Sequence, residues 1–251
     1  MKTLTHLEHQ PVVDMGFELR FTQTTQVSEL MLGLLYHLLG AKGQIQRLPP
    51  SEIPREIRRQ DENLHYAVLN RFQWKDYYVG ISDHGIVLSC IGEYKGWTKT
   101  KKSLLELIGH LNNIGLLQNL IRYSIKYVDL FEGKKDGDLL KKLNFSLQVA
   151  KEDVSNQAFS LRMERNIDQH INIINIIGHA IVEAVEIDLK KEGLVLDIDT
   201  IKIIDPAFGI TAQDFIQDPE KHIQKIHDVN FELFVNCLTP ETLKELGAVY
   251  E

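Results

Sequence analysis

Residues 77–91 read YYVGISDHGIVLSCI, and this stretch decides the fold class. Two runs rich in β-branched and aromatic residues, 77–82 and 86–91, flank a turn signal formed by Asp83, His84 and Gly85. The pattern predicts an antiparallel hairpin, and a further strand is predicted before it at 64–72. Strands that follow one another without long helices between them favour an antiparallel sheet, so a doubly wound nucleotide-binding fold is not expected.

The remainder of the first half adds one strand and two helices. Residues 17–21, FELRF, alternate apolar and polar side chains, as a half-buried strand does. Residues 28–39 predict an amphipathic helix, and 103–113 predict a second helix that Thr98 or Thr100 caps. The apolar stripe of the 28–39 helix consists of Met31, Leu34, Leu35, Leu38 and Leu39.

The second half repeats this order of elements. Strand-like runs are predicted at 120–131, 145–150, 158–167, 171–185 and 194–204, with a short helix at 138–143. A long helix follows the Asp218-Pro219 cap and ends at Leu238, and a final short helix follows Thr239. The sequence therefore predicts an α+β protein with antiparallel sheets covered by helices and an internal duplication. Its halves would be 1–116 and 117–251, packed as one compact unit.

Composition limits the class of protein. The 251 residues include 28 Lys+Arg and 35 Asp+Glu, a net charge of −7, and 43% are hydrophobic. These are globular values, and the acidic balance argues against a chain-wide nucleic-acid surface while allowing a local basic patch. Cys90 and Cys237 lie far apart, which supports neither a zinc ribbon nor a disulfide framework and predicts a reducing, cytoplasmic location. No signal peptide or membrane span is expected.

Catalytic motifs are missing from the sequence. The chain contains no G-x-G-x-x-G, no G-x-x-x-x-G-K-[ST], no G-x-S-x-G and no H-E-x-x-H. No catalytic residue and no cofactor is therefore assigned, and a protein that is not an enzyme is favoured.

One acidic pair has two interpretations. Asp197 and Asp199 in VLDID lie two residues apart on a predicted strand, so their carboxylates share a face. Together with His227 they could bind Mg²⁺ or Mn²⁺, although the alternation of a solvated strand face already explains the pattern.

The segment 94–102, YKGWTKTKK, is a local basic patch around an aromatic residue at a predicted helix start. Trp97, Lys99, Lys101 and Lys102 are therefore candidates for binding an anion or a partner. The competing interpretation, which the sequence favours, is that Trp97 is buried and donates its indole N–H to a backbone carbonyl.

The predicted strand 120–131 supplies two further cationic candidates, Arg122 and Lys126. Alternation places Tyr123, Ile125 and Tyr127 on one face and Arg122, Ser124 and Lys126 on the other. If VLDID lies beside this strand, Arg122 and Lys126 should pair with Asp197 and Asp199.

Five segments in order resemble a sporadically distributed bacterial family of about this length that has no assigned function. They read PVVDMGFELRF, YKGW, IRYSIKYVD, VLDID and KIHDVNFELFVNCLTPETLKELG. Arg122, Ile125 and Tyr127 match the central strand of the family, whereas Lys126 and Asp129 replace its Arg and Asn. The resemblance implies a shared fold and carries no catalytic residues. A patchy distribution is typical of defence and toxin–antitoxin modules.

Three functions are compatible with these observations. The first is a non-catalytic binding or assembly protein, within a bacterial defence system, that takes a protein partner or associates with itself; nucleic acid is a less favoured partner. The alternatives are a metal-dependent phosphate-ester hydrolase or nuclease that uses Asp197, Asp199 and His227, and a small-molecule carrier.

Overall fold

The computed structural model of the chain describes residues 4–22, 27–61, 64–90, 92–133, 139–153, 157–184 and 189–250. Antiparallel sheets and α-helices make it an α+β protein, as the sequence predicts. The strands are β1 (Leu4–Leu7), β2 (Val12–Phe21), β3 (Gln46–Arg47), β4 (Asn70–Trp74), β5 (Tyr77–Ile81), β6 (Gly85–Cys90), β7 (Leu120–Glu132), β8 (Gln148–Val149), β9 (Glu152–Asp153), β10 (Phe159–Ile167), β11 (His170–Ala184), β12 (Leu189–Ile203) and β13 (Ala248–Tyr250). The α-helices are α1 (Val27–Leu38), α2 (Arg55–Arg58), α3 (Trp97–Asn113), α4 (Ala212–Gln217), α5 (Pro219–Cys237) and α6 (Pro240–Glu245).

The chain divides into two compact units that interleave in sequence. The first unit comprises Met1–Asp14, Lys126–Thr200 and Asp228–Glu251, and the second comprises Met15–Ile125 and Ile201–His227. Strands β2, β7 and β12 and helix α5 each contribute residues to both units.

The second unit is built on an antiparallel sheet in which β2, β6, β5, β4 and β3 are successive neighbours. Alternate residues of β2 are buried, namely Phe17, Leu19 and Phe21, whereas Glu18 and Arg20 between them are partly exposed. The predicted hairpin is present, since β5 and β6 pair with Ile81 opposite Ile86. One face of this sheet is therefore core, and the other presents polar side chains.

The first unit contains the long β10–β11 hairpin, followed in the sheet by β12 and β7. Leu233 and Phe234 of α5, and Leu238 directly after it, pack in one apolar cluster with Leu194 and Leu196 of β12. A buried polar chain crosses this core: the Asn230 amide donates to Thr200 Oγ1 (3.0 Å), and the Thr200 hydroxyl donates to Asn172 Oδ1 (2.8 Å). Each buried polar atom named in these bonds thus has a partner, which fixes the position of α5 on its strands.

The strand orders bear on the duplication hypothesis. Within 1–116 the neighbours are β2-β6-β5-β4-β3, and within 117–251 they are β7-β12-β11-β10. In each half one strand, β2 or β7, therefore pairs with the last strand of a three-stranded meander, and the first half adds β3 beyond that meander. Duplication and the boundary after residue 116 stay predictions.

Two sequence predictions need correction. Residues 64–66 form a turn, residues 67–69 have no regular secondary structure, and the predicted 64–72 strand begins only at Asn70. Val68 fills the space beside Gly80, where a Cβ would meet Val68 Cγ1 at 2.8 Å, so this segment covers β5 and does not extend β4. Helix α1 is present, but Leu34 and Leu38 of its predicted buried stripe are exposed. Among the described residues, no helix is both long and apolar enough to cross a membrane.

Candidate functional sites

Trp97 joins the first turn of α3 to α5 within the second unit. Its ring stacks on His227, with ring centroids 3.9 Å apart and planes at 12°. Its indole N–H donates to Gln224 Oε1 at 2.9 Å, and the residue is half-buried. The predicted burial is therefore only partly realised, and the acceptor is a side-chain oxygen, not a backbone carbonyl.

The lysines around Trp97 have carboxylate partners. Lys99 Nζ lies 2.6 Å from Asp76, and Lys101 Nζ lies 3.0 Å from Glu220. Lys102 is exposed on the same helix. Because Lys99 and Lys101 are paired with acids, their charge available to an anionic ligand is reduced.

Of the two cations on β7, one pairs as predicted. Lys126 Nζ lies 2.9 Å from Asp197 Oδ2 in the first unit. Arg122 belongs to the second unit, and its Nη2 lies 3.7 Å from Glu18 Oε2 of β2; its pairing with an aspartate of β12 stays a prediction. Tyr123, Ile125 and Tyr127 of β7 are buried, whereas on the predicted opposite face Arg122 is half-buried, Lys126 is exposed and Ser124 is buried.

The metal hypothesis gains no third ligand from the described residues. Asp197 is paired with Lys126, and His227 stacks on Trp97. No group of three His, Cys, Asp or Glu side chains converges in the described part of the chain.

Helix α1 has an exposed apolar face that includes two leucines, Leu34 and Leu38, which its periodicity predicted to be buried. Leu30 has 66% of its surface exposed, and Leu34 and Leu38 are also exposed. Together with exposed Gly33 and His37 they recur at helical spacing along one side. We call these five residues, Leu30, Gly33, Leu34, His37 and Leu38, the α1 face.

A buried ion pair holds the start of α1 in place. Asp83, in the β5–β6 turn, accepts hydrogen bonds from Ser28 Oγ at 2.8 Å and from Arg58 Nε at 2.7 Å and Nη2 at 3.0 Å. Its backbone carbonyl also accepts from Val27 N–H at 3.1 Å. Burial alone would raise the pKa of Asp83, but the hydrogen bonds from Arg58 and Ser28 hold it below its ordinary value. The α1 face is thus carried by a helix with a fixed origin.

The polar side of the sheet in the second unit carries a second candidate surface. Arg20 donates from Nε to Glu18 Oε2 at 2.6 Å, and its guanidinium carbon lies 3.9 Å from the centre of the Tyr66 ring. Arg122 approaches the same Glu18 oxygen from β7. One carboxylate therefore serves two guanidinium groups.

Arg71 on β4 repeats this arrangement. Its Nε donates to Gln46 Oε1 at 2.7 Å, and its guanidinium carbon lies 4.1 Å from the centre of the Tyr78 ring. We call Glu18, Arg20, Arg71, Arg122, Tyr66 and Tyr78 the arginine face. The alternation in FELRF indicated a polar strand face at Glu18 and Arg20, whereas no sequence signal linked them to Arg71.

Comparison with protein-family models and with curated proteins gives no significant match. The function therefore has to be inferred from the residues of this chain.

Proposed function

We propose that the chain is a non-catalytic assembly protein that associates with a second copy of itself through the α1 face. The observation that carries the proposal is the exposure of three leucines, Leu30, Leu34 and Leu38, on one side of a helix. Contiguous exposed apolar residues on a soluble protein typically mark an interaction site.

The composition of α1 supports this interpretation. A surface helix normally places polar residues on its outer side, but VSELMLGLLYHL is apolar on nearly every side. Leu35 is buried on the inner side, so the helix already packs on the core through a different side from the exposed leucines. Burial of the outer leucines against another surface would remove them from water and so stabilise a complex.

A second copy is the occupant that the face fits best. The five positions carry no Asp, Glu, Lys or Arg, so two copies can meet without leaving a charge buried or opposed. The positions follow a three-four spacing, as in helix pairs that interlock side by side. Gly33 lies near the middle of the face, and nothing lies within 4 Å of where its Cβ would be, so a partner helix can approach closely. A two-fold pair of antiparallel α1 helices would place Leu30 against Leu38 of the other copy.

The size of the α1 face limits the expected affinity of the dimer. Twelve residues of α1 extend about 18 Å, which offers less than the roughly 800 Å² per partner of a standard stable interface. We therefore expect a dimer in reversible equilibrium with monomer, with Kd of about micromolar or weaker.

Sedimentation velocity over a concentration series tests the proposal. The wild-type chain should shift from monomer to dimer as concentration rises, and Leu30→Lys/Leu34→Lys should stay monomeric. Ile181→Lys is the matched control, because it places a lysine on another exposed apolar residue, in the first unit, and should dimerise like wild type. A wild-type chain that stays monomeric, or a double variant that dimerises equally, would contradict the proposal.

The other functional predictions from the sequence have different levels of support. A cytoplasmic location is supported by Cys90 and Cys237, neither of which forms a disulfide. A role in bacterial defence is supported only by the family resemblance. The metal-dependent hydrolase is less well supported, because Asp197 is occupied by Lys126. Nothing in the described residues favours the carrier.

A further inference from the structure

We propose that the arginine face of the second unit binds single-stranded nucleic acid. This activity goes beyond assembly through α1 and does not depend on it. The distribution of charge along the chain is the first observation in its favour.

The two units differ strongly in charge. The first unit holds 12 Lys+Arg against 21 Asp+Glu, whereas the second holds 16 against 14. The whole chain has a net charge of −7, but its second unit is slightly basic. On the polar side of strands β2 to β7, the described residues that belong to the second unit include three arginines and one carboxylate, Glu18. Asp14, on the same side of β2, belongs to the first unit. Such a local excess favours an anionic ligand.

The arginines are oriented before any ligand arrives. Arg20 and Arg71 each use Nε to contact a neighbouring side-chain oxygen, and their guanidinium carbons lie 3.9 Å and 4.1 Å, respectively, from the centre of a tyrosine ring. A guanidinium held by both a hydrogen bond and a ring loses less conformational entropy on binding than a mobile lysine. Arg20 and Arg122 keep 24% and 19% of their side-chain surface exposed, so a ligand can reach both.

The spacing of the two arginine–tyrosine pairs points to a polymer and not to a mononucleotide. Glu18 lies opposite Val87, Val87 opposite Gly80, and Gly80 opposite Arg71. Three strand-to-strand steps separate Glu18 from Arg71, or about 14 Å. A ligand that contacts both pairs must present repeated phosphates over that span and bases that stack on guanidinium or tyrosine planes. A flexible single strand has both properties, and its recognition would tolerate many sequences.

Fluorescence anisotropy with a labelled oligothymidylate at about 50 mM salt tests the proposal. We expect binding that weakens as salt rises. Arg20→Gln/Arg71→Gln should bind at least about tenfold more weakly, and its salt slope should fall by about 1.4, since each lost phosphate contact on a single strand removes about 0.7.

The matched control is Lys75→Gln/Lys221→Gln, which removes two exposed positive charges from the same unit, at Lys75 beside Glu106 and at Lys221 on α5. This variant should bind within about twofold of wild type. Thermal melts must show that both variants fold.

Three results would overturn the proposal: no binding at low salt, equal losses in the arginine and lysine variants, or displacement of the oligonucleotide by thymidine monophosphate at equal phosphate concentration. The last would identify a mononucleotide site instead of a polymer site. Repeating the titration with Leu30→Lys/Leu34→Lys separates the two proposals, because this variant should bind the oligonucleotide if the arginine face acts independently of α1.

Discussion

Asp129 lies on the core side of β7 in the first unit, where the family resemblance places an asparagine. It is buried, and burial together with the nearby charge of Asp197 raises the pKa of its carboxyl well above the ordinary value. Burial of the Cys237 thiol likewise raises its pKa. An ionisable group in this position costs stability when it is charged.

Asp129→Asn should therefore stabilise the protein at neutral pH. A carboxyl whose folded pKa is raised binds a proton more tightly when folded, so wild-type stability falls as pH rises from the unfolded pKa of about 4 towards the folded pKa. The advantage of the variant should grow over the same window, by about 1.4 kcal/mol for each pH unit.

Urea unfolding at several pH values between about 4 and 8 measures this difference. Glu164→Gln, at an exposed position of β10, is the control and should show no such trend. A constant difference between Asp129→Asn and wild type across pH would contradict the assignment.

Single-residue pairing was only partly predictable from the sequence. Lys126 pairs with Asp197 as expected, because alternation on two strands identifies which side chains share a face. Arg122 pairs with Glu18 because strand neighbours depend on sheet order, which alternation does not reveal. The arginine face was missed for the same reason, since β2, β4 and β7 are distant in sequence.

At the scale of elements, Trp97 connects α3 and α5 by a ring stack on His227 and a hydrogen bond to Gln224. Trp97→Ala should lower the free energy of unfolding by about 2 kcal/mol, less than the roughly 3–5 kcal/mol of a fully buried aromatic, because the ring is half-buried. Trp97→Phe should cost about 1 kcal/mol, since it retains the stack and loses the N–H donor. Chemical denaturation measures both, and an Ala variant as stable as wild type would show that the contact is only superficial.

The hydrophobic periodicity of the sequence predicted helix and strand positions correctly where one side of the element is clearly polar. The predicted 103–113 helix lies within α3, and Asp218 accepts from Lys221 N–H at the start of α5, as its cap position predicts. Periodicity failed for α1, because a helix apolar on most sides does not show which side is core. It failed before Asn70 because Val68 packs against β5 at Gly80, and of the described residues 64–69 only Leu69 donates its backbone N–H to β5, at the Ile81 carbonyl.

At the scale of the whole molecule, the chain combines a strongly acidic unit with a slightly basic one and an uncharged α1 face. The α+β class followed from the sequence, because hairpin signals and short helices restrict the sheet to antiparallel pairing. The division into interleaved units could not be predicted from the sequence, because three strands and α5 contribute residues to both units. We therefore expect the α1 face and the arginine face to carry the function.

Disulfide trapping at Gly33 tests the central claim, assembly through the α1 face, most directly. In a background with Cys90 and Cys237 replaced by alanine, Gly33→Cys should form an intermolecular disulfide under mild oxidation, because the two-fold pairing brings the two α1 midpoints together. Gly109→Cys is the matched control: it also lies exposed on a helix with nothing within 4 Å of its Cβ, and it should stay reduced. On non-reducing electrophoresis we expect a covalent dimer for Gly33→Cys and none for Gly109→Cys. Equal crosslinking of both variants, or no crosslinking of Gly33→Cys, would contradict assembly through the α1 face.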